Sequence, residues 1–548
     1  MTRREMLLSV ALVFGVALVA RVVAASIVVF PKPEDTAYYV AVAANMLEGR
    51  GMVSDALWSY QTPPLEIPRA AFEVWLPLPT ILAALPMAAF GSTFAAAQVS
   101  SILVGAIVPV LAWRLAADVA EERGLAPGRA RTLALGAGLT AAVYLPLLLH
   151  SALPDSTMPF AALALGACLP MTRLARAAAR EPSGPRLRRL DYRLVGLGGL
   201  LGLAAWTRNE AAWLALVWVV IVWSMRGPTP SAKAAMIAIP GVVAFALFVP
   251  WAVRDWIVFG NPLPGQALAN ALSIRGSDVF AWSEEPTLAR YLAVGPAALV
   301  DMRVQGILHN LLNVLVLPGA PVSVLGLAAL PWFGRSAALR PVILVAGLTF
   351  LVTSLLFPVA TTWGTFLHAA GPAHVLLIVT ALLGLDAAIA RVGAARGWTR
   401  PVAWLGATLT VAGATLFSAA LLPSFGGGSR DTAARYVALA SEMAAAGLPL
   451  RSLGPVITDY PIWLSETSGV PGLALPDESP ASVLDLAAAF PGTRTLIIHG
   501  GQHTLWPDVI DAGGPVTECF DEVSLGTPAD RAQAAALEGT RVFRLVCP

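Results

Sequence analysis

Long apolar stretches separated by short charged ones run along most of this chain. Positions 6–30 are almost wholly apolar. Similar stretches follow at 94–113, 131–150, 156–172, 194–207, 211–225, 234–253, 307–333, 341–357, 366–390 and 401–422. A helix needs about 20 apolar residues to cross roughly 30 Å of hydrocarbon. The pattern predicts a polytopic α-helical membrane protein with about eleven spans. Segment 75–91 is also apolar, but it is short and holds Pro77, Pro79 and Pro86. It reads as a re-entrant or surface-lying piece, covered by protein or a watery cavity. Stretch 194–225 is too long for one span and predicts a hairpin turning at Arg208-Asn209-Glu210.

The pattern changes after 422. Pro423-Ser424-Phe425-Gly426-Gly427-Gly428-Ser429 reads as a linker, placed at 423–430. Segment 431–446 reads as a helix capped by Asp431. Val456-Ile457-Thr458-Asp459, Thr495-Leu496-Ile497-Ile498 and 541–546 read as short buried strands, with a helix near 482–489. Residues 431–548 are therefore expected to form a small α/β domain after a transmembrane domain at 1–422.

Composition agrees with a membrane protein. Of 548 residues 57% are hydrophobic and 13% charged, about half the charge of a soluble chain at ~25%. A net charge of +2 gives no reason to expect nucleic acid as a partner. Placement of charge says more, because arginine-rich loops stay in the cytoplasm. Arg114, Arg123, Arg129 and Arg131 form one such group; Arg173, Arg176, Arg180, Arg186, Arg188, Arg189 and Arg193 a second; Arg391, Arg396 and Arg400 a third. Stretch 31–93 carries only Lys32, Arg50 and Arg69. The N-terminus is thus expected in the cytoplasm. The loops 31–93 and 254–306 and the C-terminal domain are expected outside a multi-pass plasma-membrane protein. Arg3 and Arg4 open a first segment too long for a signal peptide and without a small-x-small cleavage site, so it reads as a retained anchor. Cys168 falls in a span; Cys519 and Cys547 could pair if the C-terminal region is outside.

Asp35, Glu73, Asp155, Arg208, Glu210, Arg254 and Asp255 gather at the outer ends of these segments. An ionisable group in the membrane costs roughly 2.5 to 3.5 kcal/mol, so it usually has a partner or a task. The acids suit proton transfer, and the guanidinium fork suits phosphate. Each has a plainer reading. Asp35 and Asp155 can cap helices. Arg208 can pair with Glu210, and Arg254 with Asp255 can anchor a span at the interface. Tyr38, Tyr39 and Trp58 can pack a sugar ring or face lipid headgroups. His309, His368 and His374 read as structural, and His499-Gly500-Gly501 with His503 as a surface loop.

Glu34-Asp35-Thr36-Ala37-Tyr38-Tyr39 and Ala44-Asn45-Met46-Leu47-Glu48-Gly49-Arg50-Gly51, after a first span, resemble the first external loop of GT-C glycosyltransferases. The likeness is nearest to the bacterial protein-mannosyltransferase and aminoarabinose-transferase (family 39-like) group. Phe90-Gly91, Thr207-Arg208-Asn209-Glu210, Arg254-Asp255-Trp256 and Phe259-Gly260-Asn261-Pro262 extend it over 1–265. Members often have Asp-Glu in the loop, where Thr36 takes the second place here. Glu73 resembles the acid of a Phe-Glu pair whose following lysine is Val74 in this chain. Asp155 resembles an acid of the second external loop in oligosaccharyltransferases.

The resemblance implies a polyprenyl-phosphate sugar donor, catalysis at the outer face and activation of the acceptor by Asp35. Combined with the outer charges, it gives an expected inverting transfer to a hydroxyl of a protein, lipid or glycan. Arg208 and Arg254 would steady the leaving phosphate; Glu73, Asp155, Glu210, Tyr38 and Tyr39 would support or bind the acceptor. A divalent ion, magnesium or manganese, could sit at Asp35 and Asp155. A transporter or lipid flippase is the competing expectation, and a membrane-anchored scaffold the third.

Overall fold

The computed structural model describes residues 2–180, 187–398, 402–500 and 505–547; Arg186, Arg400, Gly501 and His503 lie outside them. Six described helices are long and apolar enough to cross a membrane: Arg3–Ile27, Phe94–Glu122, Thr157–Ala178, Pro230–Phe259, Gly371–Ala395 and Ala403–Ala445. Pro127–Val143 and Leu145–Ser151 make a seventh if taken together, bent by 53°. The expected eleven spans are thus six or seven. Helices do form at Ala211–Ser224 and Arg340–Leu355, but they have 14 and 16 residues. At 1.5 Å per residue they fall short of 30 Å, as does the apolar helix Tyr192–Ala205. Segment 307–333 is broken into the end of Gly295–Leu308, a π-helix at His309–Val316 and Val322–Phe333. Large apolar side chains stand exposed on the long helices, among them Leu12, Val19, Phe245, Trp256 and Leu416. This is the surface expected where lipid is the solvent. The chain is a polytopic helical membrane protein.

Charge divides the bundle into two ends. Arg114 and Arg173 both meet Asp118, Arg176 meets Glu122, Arg129 meets Asp386 and Arg131 meets Glu5. Glu122 also accepts from the backbone N–H groups of Ala337 and Ala338. These contacts bring the arginine-rich turns together with the start of the first helix.

The helix Glu34–Leu47, the short helix Leu78–Phe90 and the turn at Trp206–Glu210 belong to the other end. The apolar 13-residue helix Leu78–Phe90 is too short to cross and packs against both Glu34–Leu47 and Phe94–Glu122. Leu78 N–H donates to the Trp206 carbonyl at 2.9 Å, which ties it to the hairpin turn.

The expected linker at 423–430 is instead the interior of Ala403–Ala445, a continuous 43-residue helix that also absorbs the expected cap Asp431. A Cβ on Gly426 would meet Ile27 Cγ2 at 2.0 Å. The Ser429 hydroxyl accepts from the N–H groups of Val29 and Phe30 at 3.0 and 2.8 Å. The small residues serve a close helix crossing, so packing overrides their loop preference.

Nor is the C-terminal α/β unit separate. Its six-stranded sheet takes an edge strand from the first loop, Ala56–Leu57, which pairs in parallel with Gly472–Ala474. Val456–Thr458, Thr495–Ile498, Arg541–Leu545 and Phe520–Val523 follow across the sheet, the last two antiparallel. Tyr60 donates to the Ala474 carbonyl at 2.6 Å and Trp463 Nε1 to the Pro31 carbonyl at 3.1 Å. On the other flank the Glu478 carboxylate accepts from the N–H groups of Trp282, Ser283 and Glu284. Both long loops are locked to the sheet. Cys519 and Cys547 are disulfide-bonded across a separation of 28 residues. Loop-closure entropy gives such a bond about 3–4 kcal/mol. Cys519→Ser is expected to lose that amount, measured as earlier proteolysis of the C-terminal unit on heating.

Candidate active site

Asp35 sits in the first turn of Glu34–Leu47, where the helix dipole favours an acid. The N-cap position is Pro33, so Asp35 is not the cap. Its Oδ1 accepts from the Thr36 N–H at 3.0 Å. Its Oδ2 lies 2.9 Å from His368 Nε2. His368 is therefore no isolated structural histidine. It belongs to the short turn Leu367–Ala369, ahead of the Gly371–Ala395 helix. Gly364 makes room beside it: φ is +110° there, and a Cβ would stand 3.1 Å from His368 Nε2.

Asp155 completes the group. Its Oδ1 accepts from the Thr157 N–H at 2.8 Å, the first N–H of the helix Thr157–Arg180, from one position before the N-cap. Its Oδ2 faces His150 Nδ1 at 3.3 Å and His368 Nδ1 at 3.6 Å. The Thr157 hydroxyl lies 2.7 Å from His368 Nδ1. One carboxylate thus meets the first N–H of a helix and two imidazoles. Burial alone would lower the pKa of His368, but the charges of Asp35 and Asp155 outweigh it and hold it above the ordinary histidine range. Burial would raise Asp155, yet hydrogen bonds and charge from His150 and His368 hold it below the ordinary carboxylate range.

Arg208 arrives from the hairpin turn. Its Nε and one terminal nitrogen hold Glu210 at 3.0 and 2.8 Å in a two-point pair. The other terminal nitrogen donates to the Ser156 hydroxyl at 2.8 Å, next to Asp155, and Thr365 contributes a carbonyl at 3.1 Å. Arg208 feels the charge of Asp35 and neighbours Tyr39. Tyr39 in turn meets Ser156. Asp35, Asp155, Arg208, Glu210 and Tyr39 therefore share one site, with His150 and His368 as members that the sequence reading missed. Asp155 also lines a small void of about 10 Å³, room for roughly one water, together with Pro79, Leu82, Ser100, Ser101, Pro154 and Pro159.

Three expected residues stand apart. Glu73 is buried 3.2 Å from Arg69, with Trp58 Nε1 donating at 2.7 Å and the Tyr38 hydroxyl at 3.3 Å. Glu73 and Tyr38 are taken up inside the first loop. Arg254 pairs with Asp255 at 2.8 Å and lies over the rings of Trp251 and Phe259. Among the described residues no contact joins it to Asp35 or Arg208.

Ligating atoms of His150, Asp155 and His368 lie within 4.8 Å of one another, all buried, and could hold a divalent ion. Two imidazoles and one carboxylate suit a first-row transition ion such as manganese better than magnesium, which prefers oxygen and water. Asp35 enters this set only through His368, not as the ligand expected with Asp155.

No family model matches the chain, and no curated protein does. Solved structures do. ArnT from Cupriavidus metallidurans bound to undecaprenyl phosphate aligns over 98% of this chain and 99% of its own, with a TM-score of 0.55 at 14% identity. The apo oligosaccharyltransferase of Archaeoglobus fulgidus covers 97% of this chain and 75% of its own, with a TM-score of 0.54 at 13% identity. The chain shares the fold of these two proteins. In this fold the site lies where the first loop, the hairpin turn and the Gly364–His368 turn meet, at the end of the bundle away from the arginine-rich turns.

Proposed function

We propose that this protein is a membrane-bound inverting glycosyltransferase that moves a sugar from a polyprenyl-phosphate carrier to an acceptor hydroxyl. The observation that carries the reading is the meeting of Asp35 with Arg208 and His368 in one polar site. In the transfer, Asp35 accepts the proton of the acceptor hydroxyl. The acceptor oxygen bonds to the anomeric carbon, and the carbon–oxygen bond to the phosphate breaks on the opposite face. The phosphate leaves with the electron pair, steadied by Arg208 as a fixed positive charge. His368 fixes the direction of Asp35, and Glu210 fixes that of Arg208. A prenyl tail needs only apolar surface, which the exposed apolar side chains of the long helices offer, each buried CH₂ contributing about 0.8 kcal/mol. A divalent ion at His150, Asp155 and His368 would add positive charge near the departing phosphate. Arg254 keeps the role of interface anchor.

The orientation follows the arginines: N-terminus in the cytoplasm, site and sheet outside. The disulfide fits an oxidising compartment. The relatives support the donor class by their fold, the ArnT structure being one with undecaprenyl phosphate bound.

The test is an assay in membranes with a panel of polyprenyl-phosphate sugars, read as release of free polyprenyl phosphate. Radiolabel uptake into vesicles without covalent transfer would favour a transporter. Arg208→Ala is expected to weaken donor use by about 100-fold and Arg208→Lys by markedly less, because lysine keeps the charge but loses the fork. Equal losses would assign Arg208 to holding the turn.

A further inference from the structure

Residues 28–34 lead from the first long helix, Arg3–Ile27, to Asp35. Beyond Val28 they are held from one side. Among the described residues, every hydrogen bond from positions 29–34 that leaves this stretch and its helix goes to the chain between 429 and 463. Ser429 accepts from the N–H groups of Val29 and Phe30, and Trp463 Nε1 donates to the Pro31 carbonyl. The Phe30 ring stacks on Tyr436 and meets Trp463 edge-on, both at 5.9 Å.

The last of these contacts is a helix cap supplied from outside the helix. Pro461–Ser468 opens with a proline, and its own N-cap residue, Tyr460, makes no side-chain cap bond. The first two N–H groups of this helix, those of Ile462 and Trp463, donate instead to one oxygen of Glu34, at 3.0 and 3.5 Å. Burial pushes the Glu34 carboxyl up to about 8 against the pull of these N–H groups. At neutral pH it is therefore mainly the uncharged acid, whose carbonyl oxygen accepts. Asp459, just ahead of the same helix, is committed to His499, whose Nδ1 lies 2.7 Å from its Oδ1. Both are buried, so His499 is not the surface residue that its glycine neighbours suggest.

Glu34 and Asp35 share the first turn of Glu34–Leu47, where neighbouring side chains point about 100° apart. Glu34 reaches the C-terminal unit and Asp35 reaches His368. One helical turn is thus held at adjacent residues by two parts of the chain that lie far away in sequence. We propose that Glu34 is a positioning residue: by capping Pro461–Ser468 it makes the C-terminal unit the part that sets the direction of Asp35. Without the cap the turn loses its anchor on one side, and Asp35 shifts against His368 and Arg208. A misplacement of about 1 Å at such a group costs a reaction about 100-fold. The effect on transfer rests on the glycosyltransferase reading; the mechanical link does not.

The test compares Glu34→Ala with Glu34→Gln in the full chain in membranes. Glutamine keeps a neutral carbonyl oxygen for the two N–H groups; alanine removes it. The alanine variant is expected to lose kcat by about 10- to 100-fold, with KM for the lipid donor within about twofold, and the glutamine variant to stay near wild type. Melting temperature should fall by no more than about 3 °C. Because Glu34 acts through Asp35, alanine should cost less than about threefold in an Asp35→Asn background. Losses that multiply overturn the proposal, as does wild-type kcat in the alanine variant or a glutamine variant equally slow. Hydrogen exchange read by mass spectrometry follows the link without any reaction. Peptides covering 34–47 and 461–468 should exchange faster in the alanine variant than in the other two proteins. Unchanged exchange overturns the proposal. Faster exchange in a protein whose wild type transfers no sugar would sink the glycosyltransferase reading and leave the mechanical link standing. If Glu34→Ala fails to fold, Trp463→Phe removes the donor to the Pro31 carbonyl and keeps a ring against Phe30. It should lower kcat about threefold or more, and wild-type kcat there overturns the proposal.

Discussion

Asp35→Asn is expected to leave the protein folded in membranes and to slow sugar transfer by about 100- to 10,000-fold, the usual worth of a positioned base. The substitution is nearly isosteric, and an amide oxygen can still accept from the Thr36 N–H as Asp35 does. What disappears is the basic oxygen that faces His368 Nε2. Asp35 is partly open to solvent, with 13% of its side chain exposed. Losing its charge therefore costs the fold little beside what it costs a reaction that must remove a proton. Initial rates of transfer, set against melting temperature and donor binding on the same preparation, make the comparison. Wild-type rates would remove Asp35 from the base role. A fall in melting temperature that accounts for the lost rate would make it a structural partner of His368.

Several parts of the site were legible because their signals are local. An acid just after the first long apolar stretch, and Arg208-Asn209-Glu210 at the middle of an overlong one, mark an outer helix end and a hairpin without any knowledge of tertiary contacts. The structure puts a turn between Leu187–Ala205 and Ala211–Ser224, as expected. His368 was not legible. A lone histidine has no spacing pattern, and its partners Asp35 and Asp155 lie more than 200 residues earlier in the chain. His499 was hidden in the same way: Asp459 is 40 positions away, and only the parallel pairing of their strands brings them together.

The errors in the fold have a common origin. Apolarity along the chain reports burial from water, whether by lipid or by protein. It cannot separate Arg340–Leu355 from a full span, nor reveal the interruption between Val316 and Val322. Glycine is ambiguous in the same way. Gly426 serves a helix crossing, where the sequence pattern alone suggests a hinge. The strand Ala56–Leu57 has two residues, too few for any alternation to register, yet it fuses the first loop to the C-terminal sheet.

That fusion bears on Glu73, expected to help bind the acceptor. Arg69→Ala is expected to destabilise the protein by about 3–5 kcal/mol, the usual result of stranding one member of a buried ion pair. The Arg69 and Glu73 side chains are 0% and 1% exposed. Arg69 also bonds the Ser59 carbonyl at 3.0 Å and the Thr62 carbonyl, so it ties together the stretch that follows the edge strand. Phe72, with φ at +75°, turns the chain beside Glu73 while its N–H donates to Tyr38 at 2.7 Å. A bulky residue in that conformation costs about 1–3 kcal/mol and persists only where its surroundings fix it. Glu73→Gln keeps the shape and removes the charge, leaving Arg69 buried without its counterion. Arg69→Met combined with Glu73→Gln should cost less than the two single changes added together, since the desolvation of the pair is relieved at once. The rate per folded molecule separates the two roles of Glu73. If it only holds the loop, melting temperature and yield fall in Glu73→Gln while that rate stays near wild type. A large loss of rate at an unchanged melting temperature would return Glu73 to the acceptor site.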